Sequence, residues 1–145
     1  MPCLIDTGIL LRAFDASSAE YRPIRQTLRT LWTRQEQLVV AVQNLAEFWN
    51  VSTRPIDKNG YGLSLERVAK RLAVIERICD VVTEDDDSYH IWKGLLMAHA
   101  VVGVAVHDAR LVSVMLSHGV LSVFTLNERD FRRYSGITVV TPPSP

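Results

Sequence analysis

The sequence predicts an α/β fold with a central, mainly parallel sheet of about five strands and helices on both faces. Short apolar runs alternate along the chain with longer segments in which apolar residues recur at helical spacing. Strands that alternate with helices in this way pair in parallel, because each helix returns the chain to the same end of the sheet. The predicted strands are residues 2–5, 38–42, 81–83, 121–125 and 137–140.

The first half of the chain contains two of these strands. The first strand is short and apolar and stops at Asp6, which suits a buried strand better than a helix. An amphipathic helix rich in arginine follows over residues 21–34. After the second strand, we expect Asn44 to open a helix whose first turn contains Glu47. Residues 53–62, which include an Asn-Gly pair, are predicted to form a loop.

The second half repeats the alternation. Ser64 is expected to cap a helix that ends near Cys79, and an acidic run over residues 84–87 suits the start of the next helix. Asp108 is expected to begin another amphipathic helix, closed by Gly119. A turn or short helix lies between the last two strands.

Bulk properties limit the functional classes. A chain of 145 residues can bury one real core, so we predict a single domain over residues 1–145, with a flexible tail at 142–145. Sixteen basic residues balance sixteen acidic ones, which argues against a protein that coats nucleic acid through a general positive field. No apolar run approaches the roughly 18 residues of a membrane span, and we expect a cytoplasmic protein. The two cysteines lack metal-ligand spacing and are expected to be free and buried.

Four acidic residues follow strand ends or begin helices: Asp6, Glu47, Asp108 and Asp130. The carboxyl ends of parallel strands share one edge of a sheet, and ligands bind beyond that edge. Clustered carboxylates raise one another's pKa, so a ring of them is costly unless a hard cation neutralises it. Oxygen ligands favour magnesium or manganese. The pattern therefore predicts a divalent-cation site.

Helix capping is an alternative explanation for each acid taken singly. Asp6 can cap a helix that starts at Thr7, and Asp108 suits the first turn of its helix. Two asparagines stand three positions before the other two acids, which is the spacing of a capping box. These pairs are Asn44–Glu47 and Asn127–Asp130. Capping does not predict that all four acids share one edge, and on spacing alone the two interpretations have equal weight.

Other chemistries have weaker support. The four histidines share no zinc-like spacing, and the chain has neither a G-x-S-x-G motif nor a Gly-rich loop ending in Lys-Ser or Lys-Thr. Arginines near the predicted edge are candidate contacts for nucleic-acid phosphates. Those that we single out are Arg12, Arg54 and Arg110.

Four motifs follow one another over nearly the whole chain. They are CLIDT at residues 3–7, NLAEF at 44–48, HDARL at 107–111 and TLNERDF at 125–131. In this order they resemble a PIN domain and, more narrowly, the VapC-type ribonuclease toxins of bacterial toxin–antitoxin pairs. The ordered set is far more specific than any one motif.

The resemblance implies a three-layer α/β/α fold and an endoribonuclease that depends on Mg²⁺, with Mn²⁺ able to substitute. It also implies a homodimer and a small antitoxin protein that blocks the site. By motif position it assigns catalysis and metal binding to Asp6, Glu47, Asp108 and Asp130. The supporting residues are Thr7, Thr125 and Asn127.

Two positions depart from the family pattern, and they leave other functions open. Gly8 stands where many members carry a polar side chain, and Asn127 takes a place that some members fill with aspartate. The fourth ligand and the number of metal ions depend on these positions. A PIN-fold RNA-binding or regulatory protein without turnover would tolerate both. An aspartate-based phosphoryl-transfer domain is disfavoured, because position 8 lacks the second aspartate that one such group needs.

Overall fold

A computed structural model describes residues 1–145, in which five strands alternate with seven α-helices. The strands are β1 (Cys3–Ile5), β2 (Leu38–Ala41), β3 (Asp80–Val82), β4 (Ser122–Phe124) and β5 (Thr138–Val140). The helices are α1 (Thr7–Ala13), α2 (Tyr21–Thr33), α3 (Val42–Thr53), α4 (Leu65–Ile78), α5 (Asp86–Ala98), α6 (Ala105–Ser117) and α7 (Glu128–Arg132), and a 3₁₀ turn covers Ile56–Lys58.

All strand pairs are parallel, and the strand order is β3-β2-β1-β4-β5. In the central strand, Leu4 stands opposite Val39 on one side and Val123 on the other. The chain therefore moves from β1 outward through β2 to β3, and then crosses to β4 on the opposite side of β1. The gap between β1 and β4 is the switch point at which open α/β sheets bind ligands. The predicted α/β sheet of about five strands is confirmed.

Two hydrophobic cores, one on each face of the sheet, make the molecule three-layered. Successive residues of a strand point to opposite faces. Cys3 and Ile5 accordingly belong to the core under α1 to α4, whereas Leu4 belongs to the core under α5 to α7. Every residue of β1 and β2 is buried, as expected for strands that are covered on both faces. Residues 111–115 of α6, which packs on one face of the sheet, are buried as well. This arrangement confirms the three-layer α/β/α fold.

Several predicted helix ends are present. Ser64 Oγ accepts a hydrogen bond of 3.2 Å from the Arg67 amide at the start of α4, and Asp85 Oδ1 accepts one of 2.8 Å from Ser88 at the start of α5. Gly119 follows the end of α6 with φ of +69°, a conformation that favours glycine. None of the helices is long and apolar enough to span a bilayer.

Two predicted helix starts are wrong. Helix α3 begins at Val42, directly after β2, and Asn44 is its third residue. Asn44 Oδ1 accepts a hydrogen bond of 2.9 Å from the Ala41 amide, so Asn44 supplies the backward half of a capping box and does not cap Glu47. Glu47 lies in the second turn. Helix α6 begins at Ala105, three residues before Asp108, because the apolar segment ahead of Asp108 already continues into the helix.

Phe48 belongs to the hydrophobic core that positions the site. It is fully buried on α3, one residue after Glu47, and its ring centroid lies 6.0 Å from that of Phe14. Replacing Phe48 by Ala should lower the free energy of unfolding by about 3–5 kcal/mol, through lost burial and the cavity left behind. Urea denaturation measures the change. Ile56→Ala, at a side chain that is 77% exposed, is the control, and an equal effect of both substitutions would contradict the assignment of Phe48 to the core.

Candidate active site at the carboxyl edge of the sheet

Asp6 lies at the end of the central strand and is only 8% exposed. Its amide donates to Phe124 O across the switch point at 3.0 Å. Oδ1 accepts a hydrogen bond of 2.9 Å from the Thr7 amide, and Oδ2 accepts one of 2.6 Å from Thr125 Oγ1. Asp6 thus caps α1 as predicted. The cap uses only Oδ1, and Oδ2 is bound by Thr125 from the neighbouring strand end.

The electrostatic surroundings of Asp6 oppose its negative charge. Burial raises the pKa of the Asp6 carboxyl most, and the charges of Glu47 and Asp130 raise it further. The hydrogen bonds from Thr125 and Thr7 act in the opposite direction without cancelling the effect, so the pKa lies above its ordinary value. Capping alone does not explain why other carboxylates stand close enough to affect this one.

Glu47 extends from α3 toward Asp6, with both of its carboxylate oxygens held. Oε2 accepts a hydrogen bond of 2.8 Å from Thr7 Oγ1, and Oε1 accepts one of 3.3 Å from Gln43 Nε2. Thr7 therefore connects two of the predicted acids, since its amide binds Asp6 and its hydroxyl binds Glu47. The side-chain Nδ2 of Asn44 donates a hydrogen bond of 3.3 Å to the same Thr7 hydroxyl and fixes its position.

Gln43 is a site residue that was not predicted from the sequence. Besides Glu47, its Nε2 contacts the backbone oxygen of His107 on α6 at 3.1 Å, while its Oε1 is shielded from solvent and has no hydrogen-bond partner. The spacing of four residues between Gln43 and Glu47 on one helix was the available signal, because residues i and i+4 lie on the same face.

Asp108 and Asp130 complete the cluster from the other helical layer. Burial raises the pKa of Asp108 to about 6, and the charges of Asp130, Asp6 and Glu47 add to the effect in that order. Asp130 is the third residue of α7 and is exposed. Glu47 and Asp130 therefore stand near enough to both Asp6 and Asp108 for their charges to act on these two carboxyls.

The predicted cap of α7 is wrong. Asn127 precedes the helix, but its side chain accepts no hydrogen bond from it, and Asp130 is bound to Asn127 only through the backbone, at 3.1 Å. The Asn127 amide instead donates to Thr125 Oγ1 at 2.9 Å. That hydroxyl already donates to Asp6, so Asn127 acts on the site through Thr125 and leaves Asp130 free of a capping role.

Tyr134 is a second residue that the sequence did not single out. It is 3% exposed, and its hydroxyl is shielded from solvent without a hydrogen-bond partner. Together with Asp108, Asp130 and two arginines it lines a cavity of about 310 Å³ beside the cluster. Burial raises the pKa of the Tyr134 hydroxyl, while the nearby charge of Arg133 lowers it and that of Asp108 raises it.

The three arginines predicted as phosphate contacts all have protein partners. Arg12 Nη1 donates to Gly8 O at 3.2 Å. Arg54 Nη2 donates at 2.9 Å to a backbone oxygen just after the 3₁₀ turn. Arg110 forms a two-point ion pair with Glu84. Only Arg110 also borders a cavity that reaches Glu47.

The donor chemistry of the cluster fits a hard divalent cation, since its ligands are carboxylate oxygens close together. As the side chains stand, no three or more His, Cys, Asp and Glu side chains are placed to hold an ion between them. Magnesium usually takes only one or two carboxylates and completes its coordination with water and substrate phosphate. Asp6 and Asp108 fit that requirement, because a cation would offset both the burial of their charge, which raises the pKa of each carboxyl most, and the repulsion from neighbouring carboxylates.

The raised pKa of Asp108 predicts how stability depends on pH in the metal-free protein. The carboxyl ionises at about 6 when folded and at 3.8 as a free group, so its contribution to stability is complete below pH 3.8 and is lost as the pH rises through 6. Asp108→Asn should therefore melt at a higher temperature than the wild type at pH 8 in chelator, and this advantage should shrink toward pH 4.

Thermal melts across this pH range provide the measurement, with Asp57→Asn, at an exposed residue of the 3₁₀ turn, as the control. A lower melting temperature for Asp108→Asn than for the wild type at pH 8 would contradict the electrostatic crowding.

Solved structures with similar folds include VapBC proteins, a toxin–antitoxin complex and a toxin. VapBC2 from Rickettsia felis, bound to a DNA fragment from the promoter, has a TM-score of 0.71 and 16% identity, with 97% of this chain and 98% of that chain covered. A toxin–antitoxin complex from Klebsiella pneumoniae has a TM-score of 0.69 and 20% identity, with 99% of each chain covered. VapC20 from Mycobacterium tuberculosis, a sarcin-ricin loop cleaving toxin, has a TM-score of 0.61 and 16% identity, with 83% and 86% covered.

At these identities the likeness establishes the fold. No curated protein sequence matches the chain. A family model does match: the PIN domain, over residues 3–137. This range contains all four motifs and all four clustered acids, and the chain therefore belongs to the PIN domain family.

Proposed function

We propose that this chain is a metal-dependent endoribonuclease that hydrolyses RNA phosphodiester bonds, and that it is the toxin of a toxin–antitoxin pair. What supports the proposal is the burial of Asp6 and Asp108 at the carboxyl edge of the sheet, which raises the pKa of both carboxyls, together with the charges of Glu47 and Asp130, which raise both further. Such a cluster is costly for the fold and suits Mg²⁺, or Mn²⁺ in its place. A divalent cation bound there would activate a water nucleophile and offset charge on the phosphate.

The position of each acid suggests its role in metal binding or catalysis. Asp6 and Asp108 are the primary metal ligands, and Asp130 completes the set. Glu47 is exposed, and its two oxygens are oriented by Thr7 and Gln43, which suits a ligand or a group that orients the attacking water and takes its proton. The protein supplies position and charge, and no covalent intermediate forms.

The proposed partners follow from the family and the similar structures. The Klebsiella structure is a toxin–antitoxin complex, and VapC20 is a sarcin-ricin loop cleaving toxin. We therefore infer an RNA substrate, a small antitoxin protein that blocks the carboxylate cluster, and a homodimer.

Asp6→Asn tests the catalytic assignment. Asparagine keeps a side-chain oxygen that can accept the hydrogen bond from the Thr7 amide, so the protein should still fold. The negative charge at the centre of the cluster is lost. Cleavage of a panel of labelled RNAs should fall by more than about 100-fold, since even residues that only support metal ligands cost 10–100-fold when replaced. Asp57→Asn makes an equal change of charge at an exposed residue of the 3₁₀ turn, outside the cluster, and should cleave like the wild type.

Thermal melts of both variants confirm that they are folded. Retained cleavage by Asp6→Asn, in a preparation free of contaminating nuclease, would exclude Asp6 as a ligand. RNA binding without cleavage under every metal would instead favour the binding or regulatory protein.

Metal removal gives an independent test. Chelation with EDTA should abolish cleavage, and added Mg²⁺ or Mn²⁺ should restore it. Because a ligand that binds only the folded state raises its stability, Mn²⁺ should also raise the melting temperature of the wild type at pH 8. This increase should be lost in Asp108→Asn, and undiminished cleavage in excess chelator would contradict metal dependence.

A further inference from the structure

A cavity of about 360 Å³ lies between α5 and α6, beside the carboxylate cluster. Tyr89 and Trp92 of α5 form one wall, and His107 and Arg110 of α6 form the other. The cavity is open to solvent on the side of Tyr89, whose side chain is 54% exposed although it is a large aromatic residue.

A second cavity, of about 440 Å³, connects this space with the proposed active site. Its lining includes Gln43 and Glu47 of α3 and His107 and Arg110 of α6. Glu84, His107 and Arg110 border both cavities, so the two spaces adjoin within a surface depression between Glu47 and Tyr89. We call this depression the α5–α6 trough.

The walls of the trough are held rigidly. Trp92 Nε1 donates to Val106 O at 3.1 Å, which fixes the indole ring against α6. The Tyr89 ring lies 6.3 Å from that of Trp92, centroid to centroid, and is tilted by 38°. An aromatic face that is already positioned loses little conformational freedom when a second flat group stacks on it.

The polar groups of the trough are only partly used within the protein. The ion pair with Glu84 occupies two of the five N–H donors of Arg110 and fixes the plane of its guanidinium, which leaves donors for a ligand. The trough therefore offers an aromatic face and an oriented donor.

Charge decides which part of an RNA such a trough suits. Glu84 and Asp85 line it, and Asp86 and Asp87 follow in the same turn of α5. These carboxylates oppose a phosphate group, whereas an unpaired base is neutral and carries donors and acceptors on its edge. Stacking of unpaired bases on aromatic side chains is the common mode by which proteins recognise single-stranded RNA.

We propose that the α5–α6 trough binds one unpaired base of the RNA, stacked on Tyr89, in the nucleotides that flank the bond to be cut. The proposal rests on the proposed ribonuclease function, and it adds a site that selects single-stranded RNA. Tyr89 binds the base and takes no part in the chemistry at the phosphate.

Combining substitutions of Tyr89 with removal of single RNA bases tests whether a base stacks on this ring. A short RNA that is cleaved at one bond is prepared with an abasic ribose at each flanking position in turn, and KM and kcat are measured for the wild type, Tyr89→Ala and Tyr89→Phe. At one position, loss of the base should raise KM about 10-fold for the wild type and Tyr89→Phe but leave KM of Tyr89→Ala unchanged. The kcat values should stay within about twofold.

Trp32→Ala is the matched control, because Trp32 is 55% exposed on α2, in the opposite helical layer. This variant should retain the full dependence on the base. Equal sensitivity of the wild type and Tyr89→Ala to every abasic position would overturn the trough as a base site, and so would a melting temperature of Tyr89→Ala low enough to explain its KM.

Binding separates this proposal from the proposed function. Fluorescence anisotropy with the same RNAs measures the affinity of Asp6→Asn with and without the Tyr89→Ala change. If the wild type cleaves no RNA but the affinity still depends on both the base and Tyr89, the ribonuclease function fails and the trough stands. If RNA is cleaved but no such dependence exists, the trough fails alone. Absence of both cleavage and binding overturns both.

Discussion

The burial of Asp6 is the constraint on which the proposed site depends. Strand β1 is the middle strand of the sheet and is covered on both faces, so the residue that ends it lies deep in the molecule. A carboxylate in that position must find donors, and Thr7 and Thr125 supply them from the two elements that meet at the switch point. Every other part of the cluster is arranged around this fixed group.

The partners of the cluster are neutral, and this distinguishes it from a structural charge network. The ion pairs of the protein, including Arg110 with Glu84, involve none of the four clustered acids. Threonine hydroxyls, backbone amides and the Gln43 amide orient the carboxylates without cancelling their charge. A lysine or arginine in the same place would stabilise the fold more, but it would compete with a cation for the same charge.

The fold was predictable from the sequence, because buried strands leave short apolar runs between the amphipathic helices, and the predicted acids stand out because they follow these runs. Helix starts were less predictable: α3 begins without a capping side chain, and Asn44 acts backward from inside the first turn. Gln43, Tyr89 and Tyr134 were missed because their relevance depends on neighbours far away in the chain. Gln43, for example, contacts a residue 64 positions later.

That contact has a mechanical consequence. Helix α3 belongs to one helical layer and α6 to the other, and the sheet keeps the two layers apart except beyond its edge. Gln43 spans this opening, with one amide group bound both to Glu47 and to the backbone of α6. Any movement that widens the gap between the layers must break one of these two bonds. If the bond to Glu47 breaks, the Thr7 hydroxyl still holds the other oxygen, so the separation of the layers affects one of the two groups that orient this carboxylate.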